Sequence, residues 1–461
     1  MQTLTKGIVM RGYISALMLG MLTAGISLAQ QPMSDYDMQI MPEDVYVATD
    51  IVSGPPAVSL PELEAWALAN NPTLVQATAQ VRAASGAAYQ AGLYLNPIVG
   101  YELQNDAIGN ARDETWNGGF VSQEFVTGGK LRLSRAKWCQ RVKIAETNMG
   151  AQRQRVINDV RAQFYRTLAA QRLVEIHREM VANGEDNLRT REEMLNLGQT
   201  NQPGLLRAQV ELQRDRLNLQ QAEYEFSHAW RTLTSLAGVP DQVQTAVQGY
   251  LLPGEEPLDW ESAFAQLLAS SPEMEAAWQK IQHDKIAIKR EQAEPIPNVI
   301  ASVRSIRSPV ADTTETSFSL GIPLPVFDRN QGTVRQARAD LMQSHAEARR
   351  LELELRTRLA TQFRAYQTAW QNVQQYETTM LPKAKQSYDL LHESYKARRA
   401  AWPDVLMAQR FYLGLRVEQV SNLVMYRESD VAIRGMLLTG GLAIPPSPVS
   451  GGHIDAVPKP R

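Results

Sequence analysis

The chain has 461 residues, with 47 Lys and Arg against 49 Asp and Glu for a formal charge of −2. No basic surplus points to nucleic acid or to an anionic membrane surface. Aromatic residues make up 7% and mean hydropathy is −0.31, values that suit long two-sided helices rather than a large globular core. The single cysteine, Cys139, excludes a disulfide framework.

The N-terminus opens with Lys6 and Arg11, an apolar run from Ile14 to Leu28, and "SLA" before Gln30. A charged segment, a short apolar segment and a small-x-small site predict a secretory signal peptide over 1–29. A membrane-spanning helix needs about 18 or more apolar residues. No Cys follows the cleavage site, so no lipid anchor is expected. Residues 30–59 form an N-terminal extension with Met33, Met38 and Met41 among acids, read as a flexible tail wrapping a neighbouring copy. The rest has no apolar run long enough to cross a bilayer as a helix.

From Leu60 onward the chain is written twice. "LANNP" (Leu68 to Pro72) matches "LASSP" (Leu268 to Pro272), and "LNPIVGYELQ" (Leu95 to Gln104) matches "PIPNVIASVRS" (Pro295 to Ser305). "GGKLRLSRA" from Gly128 matches "QGTVRQARA" from Gln331, and "PGLLRAQ" from Pro203 matches "PDVLMAQ" from Pro403. Repeat one is assigned to 60–255 and repeat two to 256–440, with a flexible Pro/Gly-rich tail over 441–461.

Each repeat opens with a predicted helix, about Pro61 to Tyr94 and about Trp260 to Glu294. Two alternating stretches follow. In repeat one, Val99, Tyr101 and Leu103 oppose Glu102 and Gln104, and Trp116, Gly118 and Phe120 oppose Asn117 and Gln123. In repeat two, Val299, Ala301 and Val303 oppose Ser302 and Arg304, while Phe318, Leu320 and Ile322 oppose Ser317 and Ser319. Period two with β-branched and aromatic residues predicts half-buried strands. Very long helices come next, roughly Lys130 to Asn196 and Thr333 to Arg399, the second holding Pro382. At 1.5 Å per residue each reaches about 100 Å.

After the breaks "LGQTNQPG" and "ARRAAWPD" a helix about half as long returns. Leu205, Leu212, Leu219, Phe226 and Leu233 recur every seventh residue in the first, with Ala208, Ala222 and Ala229 beside them. This is a heptad seam with small residues for close approach. Leu413, Val417, Val420, Val424, Val431 and Leu438 make a comparable stripe in the second. Pro203 and Pro403 are placed at the first helical position, where a missing N–H is harmless.

This architecture has a consequence. Two hairpins joined only through helices leave open sheet edges, which invite pairing with other chains. A closed barrel removes edges and is the one strand structure that crosses a bilayer. Four strands cannot enclose a lumen, but several copies can. Glu102, Gln104, Ser302 and Arg304 are then candidate lumen-facing residues.

The repeated "P(G/D)(L/V)L.AQ", the "LANNP" and "LASSP" starts and "VSQEFVTGGKLRLSRA" resemble the TolC family of outer-membrane efflux channels. "GIPLPVFDRNQGTVRQARA", Gly321 to Ala339, is similar to its heavy-metal (CzcC- and CusC-type) branch. The resemblance implies a mainly helical fold with a small β part, in which four strands per chain contribute to a trimeric twelve-stranded barrel above a twelve-helix α-barrel. It implies a homotrimer in the outer membrane of a Gram-negative bacterium, extending into the periplasm. A periplasmic adaptor and an inner-membrane pump of the resistance–nodulation–division class are the implied partners. The implied docking tips carry Gly198, Pro203, Leu206, Ala401, Pro403 and Leu406. Of two gate aspartates in the family, the alignment keeps Asp404 and places Met407 at the second position.

No G-x-S-x-G, H-E-x-x-H or phosphate loop appears, so no enzyme is expected. The six histidines, His177, His228, His283, His345, His392 and His453, are scattered; neither a metal site nor a cofactor is expected. Channels for multidrug efflux or type I protein secretion stand as alternatives. A periplasmic coiled-coil adaptor is the alternative of another class, against which the two strand-bearing repeats argue.

Overall fold

The computed structural model describes residues 57–105, 115–198, 201–252, 257–308 and 312–447, all inside one folded unit, Thr49–Arg461. The signal peptide, the methionines of the N-terminal extension and residues 448–461 lie outside the described residues. Repeat one runs β1 (Val58–Ser59), α1 (Leu60–Asn70), α2 (Pro72–Gln90), β2 (Ile98–Asn105), β3 (Thr115–Phe125), α3 (Lys130–Asn196), α4 (Gln202–Leu236) and β4 (Val247–Gln248). Repeat two runs α5 (Trp260–Ser270), α6 (Pro272–Ala293), β5 (Val299–Ser308), β6 (Thr313–Gly321), α7 (Gln331–Gln375), a π-helical turn (Tyr376–Met380), α8 (Leu381–Lys396) and α9 (Trp402–Arg434).

The opening helix of each repeat is two helices, not one. Pro72 disfavours helical backbone in the residue before it, and Asn71 is extended with ψ 120°. Asn71 Oδ1 then accepts a hydrogen bond from the Thr73 N–H at 3.0 Å, capping α2. Ser271 repeats the arrangement before Pro272, with ψ 119°. The "LANNP" and "LASSP" matches are therefore hinges between helices.

α3 is 67 residues long and unbroken, so it spans about 100 Å. Its counterpart is interrupted only by the π turn ahead of Pro382. The proline ring would collide with the carbonyl four residues back and offers no N–H. Widening by one residue accommodates it, and the Leu381 N–H bonds to the Tyr376 carbonyl. At the strand-to-helix corner Gly128 and Gly129 have φ 64° and 67°; a Cβ on Gly128 would sit 2.9 Å from Ile296 Cδ1. Asn330, with φ 57°, makes the equivalent corner before α7.

The α4 seam packs as its heptads predict: Leu212, Leu233, Ala208, Ala222 and Ala229 are buried, while Leu205, Leu219 and Phe226 are half-buried. α3 packs against α4, α2, α6 and α9, and α9 packs against α7 and α8. The main apolar cluster gathers Leu63, Phe164, Trp230, Leu355, Tyr366, Leu413 and Tyr426 from both repeats. The first residues of the tail expected over 441–461 are instead tied to the helices. The Gly441 carbonyl accepts from Thr73 Oγ1 (2.9 Å) and Gln152 Nε2 (3.0 Å), and the Pro445 carbonyl accepts from Gln80.

The largest departure from the sequence reading is in the sheet. β2 pairs with β3 and β5 with β6, both antiparallel, but β3 also pairs with β5, giving one four-stranded sheet in the order β2-β3-β5-β6. The hairpins are joined by a strand ladder as well as through helices, so only β2 and β6 remain edges. Gly118 permits the seam: a Cβ there would lie 2.0 Å from the Ser305 carbonyl oxygen.

Candidate functional site

Residues paired across a ladder share a face of the sheet. Val99, Val121, Val303 and Phe318 form one such row. Tyr101, Leu103 and Leu320 lie on the same side, and all seven are exposed, from 42% for Val303 to 78% for Phe318. An apolar sheet face this open to solvent marks a surface made for another phase or partner.

The opposite face carries polar groups. Ser302 and Ser319 are paired, with their hydroxyls 2.7 Å apart. Arg304 reaches diagonally across Gly118 to Glu102: Nε lies 3.2 Å from Oε2 and Nη2 donates to Oε1 at 3.3 Å. Three expected lumen residues, Glu102, Ser302 and Arg304, are thus brought to one face. Gln104 pairs with Trp116; its side chain lies outside the described part. β3 defeats simple alternation. Phe120 is registered with Arg304, and Gly118 with Ile306, so Trp116, Gly118 and Phe120 join the polar face. The Phe120 ring occupies the space above Gly100, where a Cβ would meet it at 2.4 Å.

At the sheet-to-helix junction Lys130 Nζ donates to Asn298 Oδ1 (2.9 Å), and Asn298 Nδ2 donates to Glu124 Oε1 (2.7 Å). Further along the helices, His283 Nδ1 is 2.8 Å from Asp284 Oδ1, and Arg141 Nε donates to His283 Nε2 at 3.3 Å. Ser344 Oγ donates to Asp284 Oδ2 at 2.5 Å. Burial, chiefly, holds the His283 imidazole below its ordinary range, with Asp284 acting against it.

The two hairpin tips are built differently. α3 ends on Gly198, with φ 68°, whose N–H donates to the Leu195 carbonyl at 3.0 Å. Asn201 caps α4 through Oδ1, which accepts from the Gly204 N–H at 3.0 Å. Pro203 is the second residue of α4 rather than the first, a position whose N–H is equally unneeded. In repeat two the left-handed residue is Arg398, φ 57°. Ala401 caps α9 with no side-chain bond, Pro403 is again second, and Asp404 is third. Gly198, Pro203, Leu206, Ala401, Pro403 and Asp404 are all exposed. Met407 is 68% exposed one turn beyond Asp404. Leu406 instead lines a cleft of about 490 Å³ with Asn187, Asp215 and Arg410.

Contacts that no motif announced tie the tips together. Trp402 Nε1 donates to Oδ1 of the buried Asn187 on α3 at 3.1 Å, and its ring lies 4.9 Å from that of Tyr395. Arg410 Nη2 is 3.1 Å from Glu211 Oε2 and 3.7 Å from Asp215 Oδ2. Burial pushes the Asp215 carboxyl up, while Arg410 opposes the shift. The one available signal was Trp402 itself, a large aromatic before a proline where repeat one has Gln202. Among the described residues no group of three or more His, Cys, Asp or Glu converges as a metal site.

Comparison with known proteins fits this geometry. The family model described as "Outer membrane efflux protein" matches residues 65–239 and 263–437, one match per repeat. The cobalt-zinc-cadmium resistance protein CzcC of Cupriavidus metallidurans is 26% identical over 372 residues, covering 77% of this chain and 84% of that protein. Among solved structures, CusC superposes with a TM-score of 0.69 at 17% identity, covering 83% of this chain and 92% of that one. The CmeC outer membrane channel of Campylobacter jejuni gives 0.68 at 15% identity, covering 82% and 85%.

Proposed function

The chain belongs to the outer membrane efflux protein family, and on that footing we propose that three copies form a passive exit duct for heavy-metal cations. It is an outer-membrane channel protein extending into the periplasm. The observation that carries the assembly is the four-stranded sheet, apolar and exposed on one face, polar on the other, with β2 and β6 left as edges. Edge-to-edge pairing of three sheets closes twelve strands, apolar outward to lipid and polar inward. The helical hairpins continue the conduit into the periplasm. A periplasmic adaptor docks at the tips around Gly198, Pro203, Leu206, Ala401 and Pro403, and an inner-membrane pump supplies the energy. The duct itself performs no chemistry.

Heavy-metal cargo is favoured by the relative named for cobalt, zinc and cadmium resistance. Asp404 is the gate in this reading. Three exposed carboxylates converging at the tips raise the local cation potential, and the same carboxylate sits favourably in the first turn of α9. Drug efflux and type I secretion use the same architecture, so the cargo test is growth. Deletion should lower tolerance of cobalt, zinc or cadmium but not of dyes and antibiotics; the reverse pattern assigns the drug branch. For the gate, Asp404→Ala should raise single-channel leak at low salt and weaken block by multivalent cations. Unchanged conductance and block would remove Asp404 from that role.

A further inference from the structure

We infer that Glu315 sets the ionic preference of the conduit at its outer mouth, as a ring of three carboxylates with no cation beside it on the polar face among the described residues. This rests on the barrel reading above. Glu315 pairs with Ile306, and Ile306 with Gly118, which pairs with Glu102. All four therefore share the polar face. Every strand joins its helix at the same end of the sheet: α2 leads into β2, β3 into α3, α6 into β5, and β6 into α7. Glu315 is the third residue of β6, counted from Thr313, and so stands near the other end, farthest from the hairpins.

The charges on that face, among the described residues, sort into compensated and uncompensated. Glu102 is held by two nitrogens of Arg304, Nε and Nη2. Glu124 is bonded to Asn298, behind which stands the Lys130 ammonium. Glu315 is exposed and makes no ion pair or hydrogen bond within the described chain. The neighbouring copy does not neutralise it through the closing strand. The edge that would meet β6 is β2, "IVGYELQN", which contains no cationic residue at any register. Arg304 sits on the next strand inward but is committed to Glu102.

Three like charges around a lumen walled by low-dielectric material concentrate counter-ions and repel anions. Asp404 lies at the opposite end of the conduit, so the two rings are addressable from opposite sides. A cation leaving the duct meets the Glu315 ring last, which would keep anions out of a pore that ends in the external medium.

The test uses the full-length channel in planar bilayers under a KCl gradient, with lanthanum(III) added to one side at a time. The wild type should be cation-selective, and lanthanum on the outer side should block it. E315Q should lower the cation-to-anion permeability ratio about two-fold or more and abolish outer-side block. D404N should leave outer-side block intact. E315D should behave as wild type. T313E/E315Q, which moves the carboxylate along the same face, should restore selectivity and thereby separate charge from any structural role of the side chain. Conducting E315Q pores with wild-type reversal potential and outer-side block overturn the assignment while leaving the duct intact. A wild-type protein that forms no pore overturns the duct and Glu315 together.

Discussion

Trp402→Phe tests how firmly the second tip is held to the first hairpin. The substitution keeps an aromatic ring against Tyr395, whose centroid lies 4.9 Å away, but removes the indole N–H that reaches Asn187 at 3.1 Å. Asn187 is only 4% exposed, so its Oδ1 loses its direct donor at a nearly buried position on the wall of the tip cleft. Leaving a buried acceptor unsatisfied costs about 1–3 kcal/mol. At about 1.4 kcal/mol per tenfold, local opening of the tip should rise roughly 5- to 150-fold. Limited trypsinolysis reads this directly, because Arg398 and Arg399 stand exposed in the α8–α9 turn and cleavage of an opened segment follows its population. Asn187→Leu alone should cost a similar amount by stranding the indole N–H. The double variant, with both polar partners gone, should cost less than the two singles summed. Additivity within about 0.5 kcal/mol would mean the pair is not coupled, and the clasp would be discarded.

The remaining predictions concern pH, the sheet seam and the tip backbone. Because burial depresses the His283 pKa below its unfolded value of 6.5, the unfolded chain binds a proton that the folded chain refuses. Stability should be fully present above pH 6.5 and decline below it until the folded value is passed. Melting curves from pH 8 to 5 should show that decline, and His283→Gln should reduce it, leaving the share of His177, whose imidazole burial also holds low. Gly118→Ala should cost about 3 kcal/mol and impair trimer assembly on size-exclusion chromatography. Gly119→Ala should be tolerated, since its nearest neighbour would be the Gly100 carbonyl oxygen at 3.7 Å. Arg398→Gly should stabilise the tip by roughly 0.5–1 kcal/mol, the relief of left-handed strain less the added chain entropy of glycine, read as slower amide hydrogen exchange in the α8–α9 turn. Arg399→Gly, outside the left-handed position, should not.

Much of the helical framework was legible in one dimension because it is locally encoded. The heptads of α4 name their own buried face, and the absence of proline from α3 predicts its length. The glycine pair at Gly128–Gly129 marks the corner before it. Prolines 72 and 272 are equally visible, yet the apolar pattern runs on across the break and hides the extended residue each imposes. The Pro382 irregularity was legible as a residue but not as a π turn.

The sequence alone therefore determined the repeat, the order of the hairpins and long helices, and their approximate lengths, all of which follow from periodicity within a dozen or so residues. Only the tertiary structure decided that β3 lies beside β5, that Phe120 shares a face with Arg304, and that Trp402 reaches Asn187. The reason is range. Strand register between repeats and hydrogen bonds across 215 residues are fixed by which surfaces meet in space. Composition in that case misleads, because glycine and aromatic residues on the polar face of the sheet look apolar until their cross-strand partners are known.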